Sequence, residues 1–320
     1  MCCCAKNAYI GYKTNYETMK SFIESERMCQ ATFQNAGPLW FASSPGKETP
    51  ILFITEENFA FAMNVIAQTA ALFQNLRIIA FVVMDNHFHF VILCESVEII
   101  REFYSAVKKR LKRRSPQIRP TELDIRPIVD LNSLRNRIAY THRNGFVSNA
   151  DCTPFSYRWG TGRYYFNEYP AGESLGEMKV RQRRVMFIGR DPQLPSAWKV
   201  VNAGAAHISP ASFCDIGLGM AMFRDAHHYF AAVSKNVEAY SGIAVELDDG
   251  EFFTDHELFS QVLKIVSEKY RLASTKELTG AQRLDLARTL HYDYRSSNGQ
   301  IRRVLGLSQF EVDSLFPARK

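Results

Sequence analysis

The sequence contains no apolar stretch long enough to cross a bilayer without polar interruption, so we expect no membrane-spanning segment. No charged-then-apolar secretory segment precedes the first cysteines, and the seven cysteines are an odd number, which argues against a disulfide framework. Internal repeats and low-complexity tracts are also missing. These absences predict a soluble, cytoplasmic protein, and we interpret Cys2, Cys3 and Cys4 as a frayed terminus rather than a metal site.

Apolar material, in contrast, is plentiful. Hydrophobic residues make up 46% of the 320 residues, and 23 residues are phenylalanine. This amount is enough for a sizeable core and indicates two domains. The net charge of +6 is modest, so the placement of the basic residues says more about function than their excess does.

The order of the predicted elements indicates the fold class. LWFAS predicts a strand, ENFAFAMNVIAQTAALFQN a helix, LRIIAFVVM and FHFVILC two strands around a turn at Asp85-Asn86, and the residues from about Val97 to Arg114 a second helix. This order predicts an α+β sandwich with helices on one face of an antiparallel sheet. The expected parts are a lead-in (1–36), an α+β domain (37–150), a basic, aromatic connector (151–205) and a helical C-terminal domain (206–320).

The stretch FVVMDNHFHFVILC places two histidines inside an otherwise apolar strand pattern. Because successive side chains on a strand point to opposite faces, His87 and His89 share one face and Phe88 points to the other. Two imidazoles about 7 Å apart on one face can converge on one metal ion or one phosphate. The alternative is a pair of half-buried histidines on a solvated sheet face.

A second group of polar residues lies in IAYTHRNGFV, within a predicted helix that begins at Leu131. Tyr140 and Asn144 are four residues apart, so they share one helix face and can act on one centre, whereas His142 points elsewhere. Alternatively, Tyr140 is a core aromatic residue and Asn144 caps the end of the helix before Gly145, where we expect the helix to end.

These stretches together resemble the HUH single-tyrosine transposases, and among them the REP-associated tyrosine transposases. VVMDNHFHFVI resembles the family's His-hydrophobic-His strand, and IAYTHRNGFV resembles its helix with a tyrosine and, four residues later, an asparagine. LWF at 39–41 matches the first strand, and ILF at 51–53 matches the strand or turn before the first helix. Phe41 stands where the family often has histidine, and Gly145 where it usually has proline. The resemblance covers residues 38–165 and implies a ferredoxin-like antiparallel sheet.

The resemblance also implies an activity, namely metal-dependent cleavage and transfer of strands in single-stranded or hairpin-containing DNA. Tyr140 would attack the scissile phosphate and form a 5′-phosphotyrosine link. A divalent ion, Mg²⁺ or Mn²⁺, would be held by His87, His89 and Asn144. Two imidazoles suit Mn²⁺ better than Mg²⁺, which prefers oxygen ligands.

Basic residues cluster in regions that suit contact with DNA. The run KKRLKRR has six positive charges in seven residues and, with Arg135, Arg137 and Arg143, predicts an electrostatic track beside the tyrosine helix. The stretch RWGTGRYYF interleaves cations with rings, which suits stacking on unpaired bases. A solvated helix face and a packed aromatic edge are the alternatives. The expected DNA-binding residues are Lys108, Lys109, Arg110, Lys112, Arg113, Arg114, Arg143, Arg158, Trp159, Arg163, Arg302 and Arg303.

The C-terminal end resembles a helix-turn-helix, with QIRRVLG as the first helix, LS as the turn and QFEVDSLF as the recognition helix. Arg302 and Arg303 would then contact phosphates. Glu311 and Asp313 are acidic, which argues against tight insertion of the second helix into a groove.

The sequence therefore predicts two possible functions. The leading expectation is a DNA strand-transferase, and the alternative is a domesticated relative that binds DNA hairpins without cutting them. The intact set of histidines, tyrosine and asparagine favours the enzyme, because hairpin binding does not require it. The acceptor of the tyrosine proton stays open between Asp85 and His142, and the protein is expected to act as a monomer or a homodimer.

Overall fold

A computed structural model of the chain describes residues 21–45, 52–114, 122–147, 156–167, 172–202, 204–235, 243, 255–294, 296 and 298–316. The Cys2–Cys4 run, Ile51 of the ILF motif and the connection that follows Arg114 lie outside the described residues. Residues 21–36 are helical and are named α1.

Four antiparallel strands form the central sheet. They are β1 (Leu39–Ser43), β2 (Leu76–Val83), β3 (Phe88–Cys94) and β4 (Asp124–Pro127). Their order across the sheet is β2-β3-β1-β4. A tight turn joins β2 to β3, with the Met84 N–H donating to the His87 carbonyl at 2.9 Å. The three strands predicted from alternating and apolar runs are confirmed, since aromatic and β-branched residues fill them as this pattern requires.

Helices α2 (Glu56–Ala70) and α3 (Val97–Leu111) pack together on one face of this sheet. Thr55 caps the start of α2 and Ser96 caps the start of α3, each through a side-chain oxygen that accepts a backbone N–H of the first turn. Because side chains alternate along β3, these helices cover Phe88, Phe90 and Ile92.

Helix α4 (Leu131–Val147) covers the opposite face, so the expectation of helices on one face holds for α2 and α3 while α4 adds a further layer. Asp130 starts α4 by accepting the Ser133 N–H at 2.7 Å. The helix does not end at Gly145 as predicted. A Cβ at Gly145 would lie 2.2 Å from the Tyr157 ring, so glycine is needed here for close packing rather than for a helix end.

The segment after α4 extends the sheet at its β2 edge. The Thr161 N–H donates to the Phe81 carbonyl at 3.0 Å, and the Val83 N–H donates to the Trp159 carbonyl at 2.8 Å. A second, three-stranded sheet follows with one helix inserted in it. Its elements are β5 (Glu173–Ser174), α5 (Val180–Met186), β6 (Lys199–Val201) and β7 (His207–Ile208).

The C-terminal part is helical in the residues that the structure describes. Its helices are α6 (Ile216–Ala221), α7 (Ala226–Lys235), α8 (Asp255–Tyr270), α9 (Gly280–Tyr292), α10 (Asn298–Leu305) and α11 (Gln309–Leu315). Apolar residues of α7, α8 and α9 share one core with α4, so α4 lies between the sheet and these helices. The predicted α+β class is confirmed. Across the described ranges, no helix combines the length and the apolar character that a membrane crossing requires.

Candidate functional site

His87 and His89 lie side by side on the sheet side that α4 covers. Their Nε2 atoms are 3.0 Å apart and their ring centroids 4.8 Å apart. His89 is fully buried, and His87 is half-buried at the end of the turn. The two side chains thus point the same way, as the strand period predicts. The rings lie closer than the backbone repeat of about 7 Å because they tilt toward each other.

Asn86 fixes the orientation of His87. Its Oδ1 atom lies 2.7 Å from Nδ1 of His87. Because an amide oxygen only accepts, Nδ1 is the donor in this contact, and in the neutral tautomer that makes it the lone pair is on Nε2, the atom that faces His89. The turn is held from outside, since the N–H groups of Leu52 and Phe53 both donate to the Asp85 carbonyl at 2.8 Å. Asn86 was predicted only as a turn residue, and its place next to the histidine is the signal that identifies its second role.

Tyr140 reaches the histidine pair from α4. Its ring meets His89 edge-on, with centroids 5.5 Å apart and an interplanar angle of 80°. Phe41 of β1 closes the third side, stacked on His89 at 5.8 Å and edge-on to Tyr140 at 6.3 Å. The position at which the resembled family often has a third histidine is therefore an apolar wall of the same cluster. The fold brings together three of the predicted residues, His87, His89 and Tyr140.

One distance between candidate ligands is compatible with a divalent ion. Adjacent ligands of an octahedral ion with bonds of about 2.1 Å are about 3.0 Å apart. The Nε2 atoms of His87 and His89 are separated by this distance, 3.0 Å. Asn144 follows Tyr140 by one turn of α4 and is 4% exposed, so it shares the helix face of Tyr140. Asn86 supplies the outer hydrogen bond that metal-binding histidines usually have.

The two candidate proton acceptors differ sharply. His142 is buried, with its ring nitrogens 2.9 Å from Oη of Tyr229 and 2.9 Å from Oγ1 of Thr161. Burial lowers the pKa of His142 to about 3, so this ring is a neutral core group whose nitrogens are both engaged. At the hairpin turn, burial raises the pKa of the Asp85 carboxyl, although the residue still reaches solvent.

The arginines predicted to form a track along α4 turn inward. Arg135 pairs with Glu26 of α1, with Nη1 and Oε1 2.7 Å apart. Arg137 is buried with its guanidinium over an aromatic ring of β1 at 4.8 Å. Arg143 is 2% exposed and pairs with Glu257 of α8. These three groups are therefore internal partners of the fold and do not present a positive surface beside Tyr140.

The basic run at the end of α3 lies across the sheet from the histidine–tyrosine cluster, because α3 packs on the face opposite to α4. Its exposed members are Lys109, Lys112, Arg113 and Arg114. Lys108 and Arg110 are half-buried, and burial lowers the pKa of both side chains. The run forms a positive surface, but this surface does not adjoin the tyrosine helix as predicted.

The stretch RWGTGRYYF is packed into the fold. Its buried rings are Trp159, Tyr164 and Tyr165. Trp159 stacks on Phe59 of α2 with centroids 5.3 Å apart. Arg158 pairs with Glu56 at 2.6 Å, and Arg163 is half-buried. The packed aromatic edge, rather than an open stacking platform, describes this segment.

The C-terminal helical hairpin has the predicted elements. Gly306, with φ +64°, follows α10, and Ser308 caps α11. Arg302 is exposed, whereas Arg303 pairs with Asp255 of α8, with Nη2 and Oδ1 2.9 Å apart. The two acidic residues of α11 accept hydrogen bonds within the hairpin. Both members of the predicted cation pair are exposed, and Arg303 makes a surface ion pair with Asp255.

No protein-family model matches the chain, and no curated protein matches it. The likeness to the HUH single-tyrosine transposases therefore stays a prediction from sequence motifs. The contacts of His87, His89 and Tyr140, and the chemistry that these groups allow, are the basis for a functional proposal.

Proposed function

We propose that this protein cleaves and rejoins DNA strands through a covalent link to Tyr140, with a divalent ion held by His87, His89 and Asn144. The single observation that carries the proposal is the contact of the Tyr140 ring with His89, at 5.5 Å, while His89 in turn contacts His87 at 3.0 Å. A core at this position would pack as well with aliphatic side chains and would bury fewer polar groups. A reaction at a phosphate, in contrast, uses all of them.

The order of the elements supports the finer fold that this function requires. The elements β1, α2, β2, β3, α3 and β4 follow one another as β-α-β-β-α-β, and the sheet order β2-β3-β1-β4 is that of a ferredoxin-like core. Helix α4 comes next and delivers Tyr140 to the sheet face that α2 and α3 leave uncovered. We infer a nuclease domain of the HUH kind from this arrangement.

The chemistry follows from the groups in the cluster. A bound ion would polarise the scissile phosphate and offset charge at the phosphorus. Oη of Tyr140 attacks the phosphorus, the bond to the 3′-oxygen of the preceding nucleotide breaks, and a 5′-phosphotyrosine and a 3′-hydroxyl are left. The tyrosine proton passes to a base, and the leaving 3′-oxygen takes up a proton from solvent. Asp85 is the better of the two candidate bases, because it is exposed whereas both ring nitrogens of His142 are engaged. Attack by the 3′-hydroxyl of another strand reverses the link and joins the strands.

One observation favours the second candidate, a relative that binds DNA hairpins without cutting. Tyr140 is 1% exposed and His89 is fully buried, so a phosphate reaches them only after the covering side chains move. A protein that only binds would need no such movement. The two candidates differ in one measurable product, the covalent protein–DNA adduct.

The test is a cleavage assay on labelled single-stranded oligonucleotides that carry short hairpins, with Mg²⁺ or Mn²⁺ and with EDTA. The wild type should form a denaturant-resistant adduct that needs metal. Tyr140→Phe and His87→Ala should form none, because the first lacks the nucleophile and the second a metal ligand. Tyr292→Phe is the matched control, since Tyr292 on α9 is 65% exposed and lies outside the cluster.

An adduct in the wild type and in Tyr292→Phe, but in neither of the other variants, supports the enzyme. An adduct that survives Tyr140→Phe would assign the nucleophile elsewhere. Hairpin binding with no adduct under either metal would overturn the proposal in favour of the binding protein.

A further inference from the structure

The C-terminal half of α4, which carries Tyr140, is held from the side that faces the C-terminal helices. Arg143 is 2% exposed and pairs with Glu257 of α8. Its Nη1 also donates to the Val233 carbonyl of α7 at 3.3 Å. A guanidinium so deeply buried needs a charged partner at a fixed position. The ion pair therefore fixes the distance between α4 and α8.

The position of Arg143 on the helix links this ion pair to the candidate nucleophile. Arg143 follows Tyr140 by three residues and immediately precedes Asn144, so it lies on the flank of the face that meets the histidines. A rotation of α4 that moved Arg143 away from Glu257 would also move the Tyr140 ring away from His89. The bond from His142 to Tyr229 of α7 holds the far side of the same turn.

We propose that Glu257 is a positioning residue for the reaction: through its ion pair with Arg143 it keeps Tyr140 against the histidine pair. This inference rests on the proposed function of Tyr140. It gives the C-terminal helices a part in the chemistry, although every candidate reacting group lies before residue 145. Glu257 touches neither substrate nor ion and acts through α4 alone.

The test compares Glu257→Gln, which keeps the size and removes the charge, with Glu257→Asp, which keeps the charge. Asp285→Asn is the matched control, because Asp285 accepts bonds from Lys269 at 2.8 Å and Tyr270 at 2.6 Å between α8 and α9, and its side chain is 52% exposed. Adduct formation is measured in single turnover with saturating oligonucleotide, and oligonucleotide affinity is measured separately in the Tyr140→Phe background.

Glu257→Gln should lower the single-turnover rate at least tenfold while changing the affinity by less than twofold. Glu257→Asp should recover part of the rate, and Asp285→Asn should keep the wild-type rate. Hydrogen exchange of the amides of residues 138–145 should quicken in Glu257→Gln, with β2 and β3 unchanged, because only α4 is released.

A wild-type rate in Glu257→Gln would overturn the positioning role. So would parallel losses of rate, affinity and sheet protection, because these indicate a general loss of structure. Absence of an adduct in the wild type is a different outcome: it rejects the proposed function itself, and the role of Glu257 with it, before any variant is compared.

Discussion

The two faces of strand β3 are both covered by helices, but the side chains that they bury differ in chemistry. Toward α2 and α3 the strand presents Phe88, Phe90 and Ile92 in an apolar cluster. Toward α4 it presents Val91 and Leu93 of a second apolar cluster, together with His89, which contacts Tyr140. Phe90 and His89 are neighbours and are each 0% exposed, so burial alone does not separate the two faces. What separates them is the need for specific partners.

Apolar and polar side chains differ in what their burial demands. An apolar side chain needs a neighbour of the right volume, and many neighbours satisfy it. A buried polar group needs a partner at hydrogen-bond distance, as His142 has in Tyr229 and Arg143 in Glu257. Both faces therefore gain stability from apolar packing, while the buried polar groups of the α4 face also fix positions. Substitutions on the two faces of β3 should therefore differ in their effects on stability and on adduct formation.

Phe90→Ala should give the largest loss of stability. Removing a fully buried ring leaves a cavity between the sheet and α3 and costs about 3–5 kcal/mol of unfolding free energy. Tyr140→Phe keeps the ring and loses only a hydroxyl, so a loss of at most about 1.5 kcal/mol is expected. Urea denaturation followed by circular dichroism measures both values.

Adduct formation should rank these two variants in the opposite order. Per folded molecule, Phe90→Ala should keep the wild-type yield, and Tyr140→Phe should give none. Phe90→Leu is the control, because it retains most of the volume and should retain most of the stability. If Tyr140→Phe lost as much stability as Phe90→Ala, the α4 face would be an ordinary core and the expected difference between the faces would be wrong.

Acidification should remove the stabilising contribution of a buried group on the α4 face, His142. Burial lowers the pKa of His142 to about 3 in the folded protein, whereas the unfolded chain takes up this proton near the ordinary value of about 6.5. The contribution of His142 is therefore complete above about pH 6.5 and falls by about 1.4 kcal/mol per pH unit until about pH 3. Between about pH 7.5 and pH 5 the expected loss is about 2 kcal/mol.

Urea unfolding of the wild type and His142→Gln at both pH values checks this expectation. The variant should lose about 2 kcal/mol less than the wild type on acidification. His207, whose pKa burial lowers to about 4, titrates in both proteins and cancels in the comparison. Equal pH dependence in the two proteins would contradict a neutral, buried His142.

Sequence patterns predicted the local elements but not the inward arginines. β3 and α3 were found within a few residues of their bounds, because alternation and helical spacing act over neighbouring residues. The ion pair of Arg135 with Glu26 joins residues 109 positions apart, and that of Arg143 with Glu257 joins residues 114 apart. The spacing of the arginines along α4 does not show whether a glutamate that is distant in sequence will pair with them in the fold. The surface track was therefore predicted where an internal pair forms.

The meeting of Tyr140 with His87 and His89 was predicted in a different way. The strand period gave the shared face of His87 and His89, which the structure has. That Tyr140 meets them was implied by the family resemblance, because spacing within α4 says nothing about the strand it covers. Gly145 was read as a helix end because glycine commonly ends helices. Its packing against Tyr157 depends on a segment that joins the sheet only in the folded chain.

Gly145→Ala should cause a smaller loss of stability than Phe90→Ala. The new Cβ would lie 2.2 Å from the Tyr157 ring, which a hydrogen bond from its hydroxyl to the Val83 carbonyl holds at 2.7 Å. Overpacking of about 1–3 kcal/mol should exceed the helix-propensity gain of about 1 kcal/mol. Gly280→Ala is the control, because a Cβ at Gly280 meets nothing within 4 Å. In thermal unfolding, the midpoint temperature of Gly145→Ala should be lower than that of the wild type. The midpoint of Gly280→Ala should equal or exceed it.

The smallest effect on the fold should come from the exposed cations of α3. Lys112 and Arg113 are both exposed, so replacing both by glutamine should leave the urea midpoint unchanged. Each phosphate contact with single-stranded DNA contributes about 0.7 to the slope of log affinity against log salt, so the double variant should lower the slope by about 1.4. Lys264→Gln, an exposed change on α8, is the control and should keep the slope. An unchanged slope in the double variant would make the α3 run a solvated helix face, and the DNA would then have to reach Tyr140 along another surface.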